Sequence, residues 1–241
     1  MSAAALQDRV VLLAGATGGL GSAAAVACAQ AGATVVLLGR SVRKLGKLYD
    51  AVAGVGPEPA MYPLDLEGAG PDDYLELADR IQSQLRRLDG LLHCAAHFQG
   101  LTPLGHVDPA ELARALHVNL TARGWLTQAC LPLLERSDAG AVVFVVDDPA
   151  RSGKAFWGGY GLAQPALHAM VPMLQAEIGS TGPRISGLQP GPMRTGLRSA
   201  AYMAGGDTAS RDPALYAPAC VELLSPAGEP WRGRVRVETL P

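Results

Sequence analysis

Short apolar runs of strand length recur along the chain, without a regular alternation of polar and apolar positions. Uninterrupted runs of this length are typical of parallel strands that helices cover on both faces of a sheet. The pattern therefore predicts a buried parallel sheet of about seven strands. The predicted strands span residues 9–14, 33–38, 60–64, 88–94, 141–146, 184–189 and 232–238.

Longer segments with helical spacing separate these runs, and several have recognisable ends. Gly32 follows the first segment, Ser41 is placed to cap the second, and Pro71 opens the third. In the fourth, Pro132 is expected to kink or end the final turn. The alternation of strands and helices predicts one open, doubly wound α/β sheet with right-handed crossovers. The predicted helices span residues 19–31, 41–52, 71–87, 108–135 and 158–179.

The size and charge of the chain indicate one domain that binds neither nucleic acid nor membrane. A doubly wound sheet commonly reaches 241 residues as a single domain, here residues 1–241. The formal net charge is −2 and basic residues form no long run, which argues against a nucleic-acid partner. Apolar stretches stay below the roughly 18 residues of a membrane span. Residues 1–8 lack the pattern of a secretory signal, so we expect a cytoplasmic protein.

The cysteines and histidines predict no metal site. Cys28, Cys94, Cys130 and Cys220 are widely spaced, and the five histidines form no H-E-x-x-H pattern. We therefore expect reduced thiols in an intracellular protein.

A glycine-rich turn joins the first predicted strand to the first predicted helix. Glycines 15, 19 and 21 let the backbone turn tightly and approach a pyrophosphate, while the helix N-terminus offers free N–H groups. A flexible loop without a ligand is the alternative, but the strand before and the helix after favour a dinucleotide site. The predicted contacts in this turn are Gly15, Thr17, Gly18, Gly19, Leu20 and Gly21.

Residues after the next two strands indicate which dinucleotide is bound. Arg40 ends the second strand, where many NAD-binding proteins carry Asp or Glu for the ribose hydroxyls. A guanidinium suits a 2′-phosphate, so NADP(H) is predicted over NAD(H), with a solvated arginine as the alternative. Asp65 and Leu66 follow the third strand and are expected to meet the adenine edge.

Taken with further motifs, these residues resemble the short-chain dehydrogenase/reductase family. Gly15, Gly19 and Gly21 have that family's G-x-x-x-G-x-G spacing, and the resemblance extends over almost the whole chain. It implies a Rossmann fold with residues 1–150 mainly binding the dinucleotide and residues 151–241 carrying the catalytic helix and a substrate loop. The remaining matches are Asn119 in the fourth helix, the catalytic tyrosine Tyr160, Pro190 and Gly191 with Thr195, and Cys94, Ala95 and Ala96 at the family's N-A-G motif.

The catalytic motif departs from the family pattern at two positions. The family's Y-x-x-x-K is here Tyr160 followed by Gln164, and the position of the family's serine falls on Asp147. Gln164 lacks the charge that helps a phenol, with a pKa of about 10, to ionise. An ionised Asp147 opposes that ionisation and cannot donate to a carbonyl oxygen. The four proposed catalytic positions, Tyr160, Asn119, Asp147 and Gln164, therefore predict an impaired or altered proton relay.

Three compensations stay open. Asp147 can be buried and protonated, Asp148 can occupy the site instead, or a loop can bring in Lys154 or Arg194 as the missing cation.

Three hypotheses about function follow. The first is an NADP(H)-dependent oxidoreductase acting on a carbonyl or alcohol. The second is a non-catalytic nucleotide-binding protein, and the third is a structural oligomer that has lost the dinucleotide. The resemblance implies a homodimer or homotetramer built through the helices at 108–135 and 158–179.

The substrate pocket is expected between the loop after Cys94, residues 147–156 and a mobile loop with a short helix at 191–213. Its predicted apolar residues are Phe98, Phe156, Trp157 and Met193. No substrate is identified by these residues.

Overall fold

A computed structural model describes residues 5–202 and 209–239, and within these ranges seven parallel strands form one sheet. The strands are β1 (Val10–Ala14), β2 (Thr34–Gly39), β3 (Ala60–Pro63), β4 (Gly90–His93), β5 (Ala141–Val145), β6 (Arg184–Gln189) and β7 (Val235–Val237). Their order in the sheet is β3-β2-β1-β4-β5-β6-β7, so the predicted doubly wound sheet is confirmed.

Burial explains why the central strands were predictable. Every residue of β1 and β4 is buried, which requires an apolar run without alternation. β3 and β7 are the edge strands and are partly exposed. β7 is shorter than predicted, because a 3₁₀ segment at Pro226–Trp231 and a turn occupy the residues before it.

Helices cover both faces of the sheet. In the described part of the chain, the helices are α1 (Gly19–Gln30), α2 (Val42–Ala53), α3 (Pro71–Leu85), α4 (Pro109–Leu116), α5 (Ala122–Leu134), α6 (Pro149–Ser152), α7 (Gly158–Ile178), α8 (Gly196–Ala201) and α9 (Ala217–Leu224). One face of the sheet packs against α1, α2 and α9, and the other against α3, α5 and α7, so that each face buries its own apolar cluster.

The predicted helix at 108–135 is wrong as a single element. A π-helical segment, His117–Thr121, interrupts it and separates α4 from α5. Such segments displace the side chains that follow and commonly occur at functional sites. Pro132 lies inside α5, two residues before its end at Leu134.

The last part of the chain contains helices that the sequence pattern did not predict, α6 and α9. The short helix expected within residues 191–213 is present as α8, while residues 203–208 of that predicted loop lie outside the described residues.

Among the described helices, none combines the length and apolar character needed to cross a bilayer. The described residues also contain no group of three or more His, Cys, Asp or Glu side chains placed to hold a metal ion.

Candidate functional site

A cleft of about 510 Å³ opens at the carboxyl ends of the central strands, where β1 and β4 lie side by side. In an open α/β sheet this is the topological switch point, at which ligands bind. The main cleft brings together nearly all the predicted site residues, namely Gly15, Thr17, Gly18, Gly19, Leu20, Gly21, Arg40, Asp65, Leu66, Cys94, Ala95, Ala96, Asp147, Tyr160, Gln164, Pro190, Gly191 and Thr195.

The glycine turn is held tightly against the end of β4. Gly15 has a φ of +81°, and a Cβ built on it would overlap the backbone of Ala95. A Cβ on Gly21 would likewise overlap the Gly15 carbonyl. Because Gly18 precedes α1 without any side-chain cap, the first amides of the helix are left for a ligand. The cradle therefore fits a pyrophosphate and excludes side chains.

Two cations line the part of the cleft that lies beyond β2. Arg40 follows β2, and Lys44 lies on the first turn of α2. The Ser41 hydroxyl caps that helix by accepting a hydrogen bond from the Lys44 amide at 3.4 Å. Asp65 lines the same region, and its carboxylate accepts a hydrogen bond from the Glu67 amide at 3.2 Å.

Asp147 and Tyr160 are directly hydrogen-bonded. The Tyr160 hydroxyl donates to Oδ2 of Asp147 at 3.0 Å. The other carboxylate oxygen accepts from the Asp148 amide at 2.7 Å and from the guanidinium of Arg151. Burial and the adjacent Asp147 carboxylate raise the pKa of Tyr160 well above its ordinary value. The phenol is therefore a weaker acid here than in free tyrosine.

Gln164 hydrogen-bonds the backbone of Asp147. Its side chain is buried, and its Oε1 accepts a hydrogen bond from the Asp147 amide at 2.8 Å. A lysine at this position would have no acceptor for that amide.

None of the three predicted compensations for the missing lysine and serine is seen in the arrangement around Asp147. Asp147 accepts hydrogen bonds from three donors, the arrangement of an ionised carboxylate rather than of a protonated donor. Asp148 instead caps α6 by accepting from the Ala150 amide at 2.9 Å. The cation that reaches Asp147 is Arg151, one helical turn after it, and a turn of α6 was not predicted.

The two predicted replacement cations lie outside the cleft lining. Lys154 is exposed, and Arg194 pairs with Asp212 at 3.4 Å with its side chain 62% exposed.

Asn119 lies behind the cleft rather than in its lining. It sits in the π-helical segment and is fully buried. Its amide donates to the carbonyls of His97 and Ala115, and its Oδ1 accepts from the His97 amide at 2.9 Å. The side chain therefore fixes the loop after β4 to α4, and it contacts the cleft only through that loop.

The sequence interpretation missed Arg123. This residue is 2% exposed on α5, lines the main cleft and donates to the Val145 carbonyl at 2.7 Å and to the Ala95 carbonyl. Burial lowers the pKa of Arg123 to about 10, so the guanidinium stays charged at neutral pH. One signal was available, since Arg123 is the single charged residue in the apolar α5 segment and lies one turn after Asn119.

The predicted apolar wall is divided between two cavities. Trp157 and Met193 line the main cleft, whereas Phe98 and Phe156 line a side cavity of about 200 Å³. Trp157 and Tyr160 line both cavities and separate them. Phe98 stacks on Trp157 with ring centroids 5.0 Å apart.

Fold and cleft together define a Rossmann-type α/β protein whose cleft lies at the switch point of the sheet. A family model described as short chain dehydrogenase matches residues 9–204. The chain belongs to the short chain dehydrogenase family.

Several proteins of known sequence or structure are similar to this chain. The uncharacterized oxidoreductase YciK of Escherichia coli (strain K12) is 37% identical over 198 residues, covering 82% of this chain and 78% of that protein. A short chain dehydrogenase from Shigella flexneri complexed with NADP has a TM-score of 0.92 and 32% identity, covering 98% of this chain and 99% of the other. One from Escherichia coli CFT073 complexed with NADPH has a TM-score of 0.92 and 34% identity, with the same coverage of 98% and 99%.

Proposed function

We propose that this protein is an NADP(H)-dependent oxidoreductase that interconverts a carbonyl group and an alcohol through an altered proton relay. The observation that carries the proposal is the single cleft in which an uncapped helix N-terminus, Arg40 and Tyr160 face the same space. Two similar structures are complexes with NADP and NADPH, which supports this choice of cofactor.

The residues of the cleft fit NADP(H) in both shape and charge. The glycine turn around Gly15 leaves the room that a pyrophosphate needs, and the amides of α1 provide donors. Arg40 and Lys44 offer positive charge where a 2′-phosphate would lie, without a carboxylate at the end of β2 to favour a ribose hydroxyl.

When bound, the nicotinamide supplies or accepts the hydride, and the chain has to move a proton to or from the substrate oxygen. Tyr160 is the phenol placed for that step, because it lines the cleft together with Gln164 and Thr195. Its hydroxyl proton is directed at Asp147, so the transfer to a substrate requires that hydrogen bond to break. We therefore expect slow turnover with the proton step limiting.

A titration with NADPH and NADH tests the cofactor assignment. We expect Arg40→Ala to weaken NADPH binding by about 10-fold, the value of a charge-assisted hydrogen bond, with little change for NADH. Arg43→Ala is the matched control, because Arg43 is exposed three residues later, in the first turn of α2, but does not line the cleft. Absence of NADPH binding at millimolar concentration would refute the proposal.

A non-catalytic nucleotide-binding protein is the second candidate. The observation that favours it is the hydrogen bond between Tyr160 and Asp147, which opposes ionisation of the phenol. NADPH consumption with a panel of aldehydes and ketones separates the two functions. Tight NADPH binding without turnover would support the second candidate, and measurable turnover would exclude it.

Self-association is part of the proposal, through the helices that the family resemblance implicates. α4 and α7 pack together, and α7 exposes Leu162 and Met173 by 61% and 60%. Light scattering of the purified protein is expected to give the mass of a dimer or tetramer. A mass of one chain would exclude this assembly.

A further inference from the structure

We propose that Arg123 is a positioning residue for Tyr160, supplying from the floor of the main cleft the positive charge that Gln164 lacks. The inference rests on the proposed function for the role of Tyr160, and it adds a residue outside the Tyr160–Gln164 motif.

The geometry places the guanidinium between the ends of two neighbouring strands. Its two terminal nitrogens donate to the carbonyls of Ala95, just after β4, and Val145, at the end of β5. Val145 lies two residues before Asp147, and Arg123 and Tyr160 line the same cleft. Arg123 therefore reaches the catalytic end of the cleft from α5, whereas Tyr160 and Gln164 reach it from α7.

No carboxylate among the described residues pairs with this cation. Its acceptors are neutral carbonyls, and its buried Nε has no hydrogen-bond partner in the described part of the chain. Arg151 differs, because its guanidinium is bound to Asp147 and the two charges largely cancel. The positive charge of Arg123 is therefore not neutralised by a carboxylate. Its electrostatic effect on Tyr160 is strong because both side chains are buried, where the effective dielectric constant is low.

The titratable groups around Tyr160 and Arg123 support the proposed effect of Arg123 on Tyr160. Asp147 faces Tyr160 from the end of β5 and raises its pKa, while Arg123 and Arg151 lower it. Besides Tyr160, the groups facing Arg123 are His93 and Cys94. Burial lowers the pKa of His93 well below its ordinary value and raises that of Cys94 to about 12, so both are uncharged at neutral pH.

Asp147 contributes one negative charge near Tyr160, and Arg151 and Arg123 contribute one positive charge each. Burial and Asp147 still raise the pKa of Tyr160, and the charge of Arg123 offsets part of that effect. The same charge stabilises the alkoxide that develops during hydride transfer. It disfavours a substrate that is itself a cation, so it favours a neutral carbonyl group over a protonated imine.

Ionisation of Tyr160, measured without substrate or cofactor, is the test. Asp147→Ser serves as the parent, because removing the carboxylate brings the phenol closer to its ordinary pKa. Absorbance titration of this parent, corrected with the matching Tyr160→Phe protein, isolates the Tyr160 signal. Arg123→Met and Arg123→Gln are then added to the parent one at a time.

We expect Arg123→Met and Arg123→Gln each to raise the ionisation midpoint of Tyr160 by at least about one pH unit, because neither new side chain carries a charge. Arg123→Gln can still donate to one carbonyl, so it also serves as the test if Arg123→Met fails to fold.

A midpoint that stays at the parent value in both neutral variants would overturn the proposal and leave Arg123 as a structural link between two strand ends. NADPH binding is measured separately on the wild-type protein. Loss of the proposed function would appear as absent NADPH binding, whereas loss of this inference appears only in the Tyr160 titration.

Discussion

Restoring the family's lysine by Gln164→Lys is expected to destabilise the protein without restoring activity. Gln164 is 1% exposed, and its Oε1 accepts the Asp147 amide at 2.8 Å. Lysine offers no acceptor, so the partly buried Asp147 backbone N–H loses its partner. Leaving such a donor unsatisfied costs about 1–3 kcal/mol, and placing an ammonium in a buried site adds to this.

Activity is expected to respond to Asp147 before it responds to position 164. The Tyr160 hydroxyl donates to the carboxylate at 3.0 Å, and a hydrogen bond to a charged group is worth about 1.5–3 kcal/mol. At about 1.4 kcal/mol per factor of ten, Asp147→Ser should raise turnover by roughly 10- to 100-fold. Serine also restores a donor toward a carbonyl oxygen. Combining it with Gln164→Lys should raise turnover further.

Urea unfolding and NADPH consumption with a carbonyl panel measure the two effects. Gln164→Met is the matched control, because it removes the acceptor without adding charge. It should lose about 1–3 kcal/mol of unfolding free energy, and Gln164→Lys should lose more. The reasoning fails if Gln164→Lys alone accelerates turnover as much as the double variant, or if it is as stable as the wild type.

Two further predictions concern stability. Burial raises the pKa of Asp89, but four hydrogen bonds, two of them from Arg87, outweigh it, so the pKa lies below the ordinary 3.8. The ionised Asp89 should therefore contribute its full stabilisation above pH 3.8 and lose it as the pH falls through the lowered pKa. Urea unfolding at several pH values should show that the unfolding free energy falls less steeply toward acid pH in Asp89→Asn than in the wild type. Parallel profiles for the two proteins would contradict this. Gly15→Ala should lose about 1–3 kcal/mol because of its φ of +81° and its overlap with Ala95, whereas Gly46→Ala, on an open helical surface, should gain up to about 1 kcal/mol. Equal unfolding free energies for the two glycine variants would refute this account of the turn.

The fold was predictable wherever one local rule determines the structure. β1 and β2 are buried on both faces, so their apolar runs carry no alternation, and the glycine turn is fixed by the lack of space around Gly15 and Gly21. The prediction of one continuous helix over 108–135 was wrong, because the π-helical segment is tied by Asn119 hydrogen bonds to the backbone of His97, which is distant in sequence. A helical periodicity contains no information about such a contact.

The cations of the site were missed for a related physical reason. Arg151 reaches Asp147 through α6, a four-residue helix too short to show any periodicity. Arg123 is buried because carbonyls from two different strand ends converge on it, and that convergence exists only after the sheet has formed. Lys154 and Arg194, which were expected to reach the site on loops, remain on the surface.

The position of Arg123 favours an enzyme over a protein that only binds a nucleotide. Burying a guanidinium without a paired carboxylate is unfavourable by several kcal/mol, and an apolar side chain would fill the interior of α5 without that penalty. The pyrophosphate and 2′-phosphate contacts proposed here lie at the glycine turn and at Arg40, and they do not require a cation at the end of β5. A charge held at Tyr160 has a physical use when negative charge develops there, as it does in carbonyl reduction. The substitutions at 147 and 164 are therefore better explained by a rearranged set of charges around the tyrosine than by the loss of the reaction.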